Sequence, residues 1–115
     1  MTIPTEIRLD RAARVLRVTF DDGAAFALPA EYLRVESPSA EVQGHGPGQK
    51  MWVSGKQNVG VTAVEPVGHY AVRLVFDDGH DSGIFSWEYL RELGAGQDRK
   101  WAAYLAALTE RGLSR

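Results

Sequence analysis

Two stretches of the chain alternate apolar and polar residues with a period of two. In the first, Leu16, Val18 and Phe20 fall on one face and Arg17 and Thr19 on the other. In the second, Val72, Leu74 and Phe76 share a face opposite Arg73. Successive side chains of a strand point to opposite sides, so both stretches predict half-buried strands. Each is followed by Asp-Asp-Gly, whose glycine can take the positive φ of a tight turn. A three-residue loop of Asp21, Asp22 and Gly23 pairs Val18 with Phe26 and Leu16 with Leu28, all on the core face. A two-residue loop would set Phe26 opposite Thr19, so the longer turn is the expectation. Strands are also predicted at Glu6–Asp10 and Val61–Gly68, the latter with Pro66 near its end. A short helix follows each hairpin. Pro29 suits an early helical position in the first. In the second, Ser86 is the expected N-cap of "WEYLREL" and Gly94 the expected stop. The tail, Asp98–Gly112, carries Trp101, Tyr104, Leu105 and Leu108 as an apolar stripe at helical spacing, with Asp98 as N-cap and Gly112 as the C′ residue. Ser37–Gln49, with two prolines and three glycines, reads as a loop.

The two halves share more than a period. "FDDG" recurs at Phe20–Gly23 and Phe76–Gly79, and "EYLR" at Glu31–Arg34 and Glu88–Arg91. Two copies are too few for a solenoid, so a pseudo-symmetric domain is expected. The prediction is an α+β fold: a mostly antiparallel sheet built from two strand–turn–strand–helix units, with a C-terminal helix packed on it. At 115 residues the chain is expected to be one domain, residues 1–115, with a core over 5–94 and the helix over 98–112.

Composition narrows the function classes. A net charge of −2 argues against a nucleic-acid binder, which normally carries a basic excess. The absence of cysteine removes disulfides, thiolate nucleophiles and cysteine-ligated metal from this chain. "MTIPTEIRLD" has no basic segment followed by an apolar run, and no stretch approaches membrane-spanning length. A cytoplasmic location, with no membrane partner, is the resulting expectation.

Candidate chemistry concentrates in "FDDGHDSGIFSWEYL". Asp77, Asp78, His80 and Asp81 are potential ligands for a divalent metal, or they form a polar hairpin tip. The first copy has Ala24 and Ala25 where the second has His80 and Asp81, so only those two residues are peculiar to one copy. The Gly-rich segment Gly44–Trp52 contributes His45, Lys50 and Trp52; it is either a connector or a loop that closes on a ligand. His45, together with His80 and the aspartates as oxygen donors, completes the set of candidate metal ligands. His69 is expected at an exposed turn. Trp87, Tyr89 and Trp52 are candidates for a partner-binding aromatic surface, and the stripe on the last helix for a homodimer contact. "SGKQ" at Ser54–Gln57 lacks the first glycine and the final hydroxyl residue of a phosphate-binding loop. Neither Ser82 nor Ser86 sits in a nucleophile-elbow pattern.

"LRVESPSAE", "EPVGHYAVRLVFDDGHDSGIFSWEYLREL" and the spacing between them resemble the gamma-butyrobetaine hydroxylase-like N-terminal domain, which occurs alone in small bacterial proteins of unassigned function. In the carnitine-pathway dioxygenases that carry it, this domain precedes the catalytic barrel and holds a structural zinc through three cysteines and one histidine. The resemblance places those cysteines at Ser37, Ser39 and Val42, and the histidine at His80. Serine is a poor zinc ligand and valine none, so the resemblance implies a degenerate site and no zinc cofactor. The dioxygenases' His-x-Asp iron motif has no counterpart here. The domain is also found fused to a P-loop scaffold for iron–sulfur assembly. The expectation is therefore a non-catalytic binding or adaptor domain, its partner a protein of iron–sulfur or metal-cofactor machinery. The alternative is a metal- or small-molecule-binding protein using the His45, His80 and Asp81 region.

Overall fold

The computed structural model describes residues 2–44 and 48–115. Two three-stranded antiparallel sheets are present, in the orders β1-β2-β3 and β4-β5-β6, where the single sheet of the sequence reading was expected. The first consists of β1 (Pro4–Asp10), β2 (Val15–Phe20) and β3 (Ala25–Pro29), followed by α1 (Ala30–Val35). A four-residue helix, α2 (Ala40–Gln43), lies in the segment expected to be loop. The second sheet consists of β4 (Val61–Val67), β5 (Ala71–Phe76) and β6 (Ile84–Ser86), followed by α3 (Trp87–Ala95) and α4 (Gln97–Glu110). The α+β class and the helix near the C-terminus are as predicted.

The first hairpin has the predicted register. Leu16 faces Leu28 and Val18 faces Phe26. The alternation that predicts these strands is the alternation of burial: Leu16, Val18, Phe20 and Leu28, with Val72, Leu74, Phe76 and Phe85, form the shared core. The two turns have the same construction. Gly23 and Gly79 sit at φ 87° and 91°, in the left-handed region where glycine has no Cβ to clash. Asp22 accepts a hydrogen bond from the Ala24 N–H at 3.0 Å, and Asp78 from the His80 N–H at 3.1 Å, which makes each an Asx turn.

The repetition extends to contacts between the units. Arg34, from the first "EYLR", pairs with Asp78 of the second turn at 2.8 Å. Arg91, from the second, pairs with Asp22 of the first turn at 3.1 Å. Tyr32 donates to the Leu93 carbonyl and Tyr89 to the Glu36 carbonyl. Both sheets carry a bulge near the start of their first strand, between Pro4 and Glu6 and between Val61 and Ala63. Each unit's helix thus clamps the other unit's turn, and the molecule is a pseudo-twofold pair closed on one core.

Three helix boundaries differ from expectation. Pro29 is the extended residue before α1 rather than a helical one. Gly94 lies inside α3, whose C-cap is Gly96. It is glycine because a Cβ there would stand 2.5 Å from the Phe26 ring. α4 starts at Gln97 after Gly96, with Asp98 in its first turn. Ser86 caps α3 as predicted, accepting from the Tyr89 N–H. Gly112, at φ 66°, ends α4 as C′: its N–H reaches the Thr109 carbonyl and that of Leu113 the Leu108 carbonyl, the two bonds of a Schellman motif. On α4, Tyr104, Ala107 and Leu108 are buried and Trp101 is half-buried, whereas Leu105 is exposed. A small second cluster joins Val35, Tyr104 and Leu108 with Trp52, Val53 and Trp101.

Candidate functional site: a buried histidine corner

The segment leaving α1 turns against the second hairpin. Ser39 caps α2 by accepting from the Glu41 N–H at 3.2 Å. Val42, on that short helix, is buried. Opposite them, the Asp-Asp-Gly turn delivers His80 inward, leaving its side chain 1% exposed. The ring packs beside Phe76 at 5.9 Å between centroids. Both nitrogens have partners: Nδ1 lies 3.1 Å from Glu41 Oε2 and Nε2 lies 2.9 Å from Ser37 Oγ.

The chemistry of these groups sets the directions. A carboxylate only accepts, so Nδ1 carries the proton toward Glu41, and in the neutral ring Nε2 accepts from the Ser37 hydroxyl. Ser82 donates to Glu41 Oε1 at 3.0 Å. Its oxygen is then free to accept from Ser39, 2.7 Å away. A continuous network therefore runs from Ser39 through Ser82 to Glu41, and from Ser37 through His80 to the same carboxylate. The hydrogen bonds from Ser82 and His80 hold the Glu41 carboxyl below its ordinary pKa, since they favour the ionised form.

Ser37, His80 and Glu41 have the connectivity of a nucleophile, base and orienting acid. Ser37, however, is fully buried. The Gly83 backbone closes over it so tightly that a Cβ at Gly83 would stand 2.3 Å from the hydroxyl oxygen. The Ser37 end of this chain of hydrogen bonds is closed off from solvent, whereas Glu41 at its other end is 67% exposed.

Beside the corner, Asp78 binds both Arg34 at 2.8 Å and Lys56 at 2.6 Å. Burial alone would raise its pKa; the Lys56 ammonium, the His80 N–H and the Arg34 guanidinium outweigh it and hold the carboxyl at about 2. Arg34 Nη1 is buried with no hydrogen-bond partner among the described residues.

The other metal candidates disperse. Asp81 points to solvent and pairs with Arg73 at 3.2 Å, Asp77 is exposed, and Asp78 is taken by its two cations. His45 lies outside the described residues. Among the described residues no group of three or more His, Asp or Glu side chains converges as a metal site. His69 is exposed. Of the aromatic candidates, Tyr89 is turned inward onto the Glu36 carbonyl and Trp87 donates to the His69 carbonyl at 2.8 Å. Trp52 is half-buried between two cations, Lys50 at 4.5 Å and Arg111 at 5.7 Å from its ring centre.

The family resemblance places Ser37, Ser39, Val42 and His80 together; in the structure Ser37 bonds His80 directly, Ser39 reaches it through Ser82 and Glu41, and Val42 is buried one residue beyond Glu41. Glu41 had no role in the sequence reading; its available signal was its position in the first turn after a Ser39 cap. Ser82, two residues from His80, was considered only as a nucleophile and not as a partner of Glu41.

The family model described as gamma-butyrobetaine hydroxylase-like, N-terminal, matches residues 7–91. No curated protein matches. A protein solved in solution by NMR is 52% identical and superposes with a TM-score of 0.87, covering 100% of this chain and 90% of its own. A second NMR structure is 48% identical, with a TM-score of 0.86 and coverage of 100% and 86%. The crystal structure of a DUF971 family protein of unknown function from Acidithiobacillus ferrooxidans is 49% identical, with a TM-score of 0.67 and coverage of 80% and 92%. Among the described residues no helix is long and apolar enough to cross a membrane. With the family model matched over residues 7–91 and a DUF971 relative 49% identical across most of both chains, the chain belongs to the gamma-butyrobetaine hydroxylase-like N-terminal domain family.

Proposed function

We propose that this chain is a small non-catalytic binding domain, an adaptor to a protein that handles iron or assembles metal cofactors, in which hydrogen bonds have taken over the corner that holds zinc in relatives with cysteines. The observation that supports this reading is the network on His80. Both ring nitrogens already have partners, Ser37 at 2.9 Å and Glu41 at 3.1 Å. A metal at Nε2 would have to break the Ser37–His80 hydrogen bond and draw its remaining ligands from Ser37, Ser39 and Val42, two weak donors and one that is no donor. The same burial withholds Ser37 from any substrate.

The partner class follows from the fusion of this domain to iron–sulfur scaffolds noted in the sequence reading. Trp52, between Lys50 and Arg111, and the half-buried Trp87 are the aromatic contacts we assign to it. The test is a direct titration of the purified chain with a P-loop iron–sulfur scaffold protein, with and without cluster. Saturable binding weakened about tenfold or more by Trp52→Ala or Trp87→Ala is the expected result. Failure to bind the scaffold in either state sinks the partner assignment.

A further inference from the structure

Near the start of α1, Glu31 is a buried carboxylate, 7% exposed. Arg115 answers it with a two-pronged ion pair: Nη2 to Oε1 at 2.7 Å and Nε to Oε2 at 3.1 Å. The same guanidinium lies over the Trp101 ring, 5.4 Å from its centre. A planar fork on a carboxylate combined with a cation over an indole is the pairing that distinguishes arginine from lysine.

Two observations set this apart from an ordinary fold-stabilising pair. The repeated unit does not need it: Glu88, which occupies the equivalent place in the second "EYLR", is exposed. The arginine, moreover, is only partly enclosed. It follows α4 in a stretch without regular structure, and its side chain is 43% exposed while the carboxylate it neutralises is 7% exposed. Beside the pair is a cavity of about 210 Å³ lined by Pro29, Glu31, Tyr32, Gln97, Trp101 and Arg115.

We infer that Glu31, Trp101 and Tyr32 form a binding site for an arginine side chain presented by a peptide segment of a partner, and that Arg115 occupies the site as an internal competitor. Without Arg115 the buried carboxylate has no cation partner among the described residues, and an unpaired buried charge is strongly unfavourable. That cost draws in a guanidinium. A tethered competitor acts at a high effective concentration, so the unaltered chain binds weakly until Arg115 is displaced. The inference stands on Glu31 and its surroundings, whichever protein the domain serves.

The test titrates Nα-acetyl-argininamide into the unaltered chain, Arg115→Ala and the double variant Arg115→Ala/Glu31→Gln, each first shown folded by its amide NMR spectrum. Nα-acetyl-lysinamide serves as the second ligand. Arg115→Ala is expected to bind the arginine ligand at least about tenfold more tightly than the unaltered chain, and Glu31→Gln to abolish that gain. The lysine ligand is expected to bind at least about fivefold more weakly than the arginine ligand. In the unaltered chain, excess arginine ligand should shift the Arg115 Nε–H resonance toward its solvent-exposed position, a readout that needs no variant. Equal affinity of Arg115→Ala and the unaltered chain, survival of binding in the double variant, or equal binding of lysine would each overturn the inference.

Discussion

Arg34 and Arg91 hold equivalent positions and make equivalent contacts, yet their surroundings differ. The Arg34–Asp78 pair is 10% and 19% exposed, the Arg91–Asp22 pair 31% and 39%. Solvent screens the second far more. Arg34→Ala should therefore cost about 2 kcal/mol of stability, and Arg91→Ala less than about 1 kcal/mol, measured by urea denaturation. Equal losses would show that burial does not separate the two clamps. Asp78 also carries a pH signature. Its folded pKa is held at about 2, below the ordinary 3.8, so its stabilisation is complete above pH 4 and is lost as pH falls toward 2. Asp78→Asn should flatten the acid limb of stability in that window, removing about 1–2 kcal/mol of pH dependence. An unchanged acid limb would contradict the assignment. At this scale the sequence was informative for residues tied to a repeated string and for two helix ends, Ser86 and Gly112. The aspartates of both turns could be read from "FDDG"; their exchange of arginine partners could not, because it depends on how two distant units close on each other.

Among the elements, the hairpins were the most legible. Matching apolar faces leaves one register that buries Leu16, Val18, Phe26 and Leu28 together, and that register is the one formed. α2 was not legible: four residues are too few to display a helical period, and the surrounding prolines and glycines masked its Ser39 cap. The face of α4 was only partly legible, because Leu105 and Ala107 border the same stripe. Packing buries the alanine beside Tyr104 and leaves the leucine in solvent. Gly94 was read as a stop because glycine commonly ends helices; its actual constraint is the Phe26 ring. Gly94→Ala should consequently destabilise by about 1–3 kcal/mol through overpacking, although alanine favours a helix interior over glycine by about 1 kcal/mol. A stabilised variant in thermal denaturation would refute the close approach. Ser86→Ala should cost about 1 kcal/mol by removing the α3 cap, with the loss read in the same experiment.

For the molecule as a whole, near-symmetry shows where function has room. Turns, bulges, tyrosine locks and arginine clamps repeat in both units, so they answer to folding. The departures are few. His80 stands where the first turn has Ala24, and Ser37 stands under Gly83 where the other unit sets Gly94 under Phe26. Glu31 is buried where Glu88 is exposed. The first two departures build the histidine corner and the third the arginine site, which is why the repeat in the sequence revealed the scaffold more fully than the sites.

The central claim is that serine, glutamate and histidine side chains close among themselves a corner that thiolates and histidine would otherwise close around zinc. Elemental analysis of the purified chain beside a Ser37→Cys/Ser39→Cys/Val42→Cys variant, both after zinc exposure and exhaustive dialysis, tests it most directly. No stoichiometric zinc is expected in the unaltered chain and about one equivalent per chain in the variant, lost when His80→Ala is added. One equivalent of tightly held metal in the unaltered chain, or none in the cysteine variant, would contradict it.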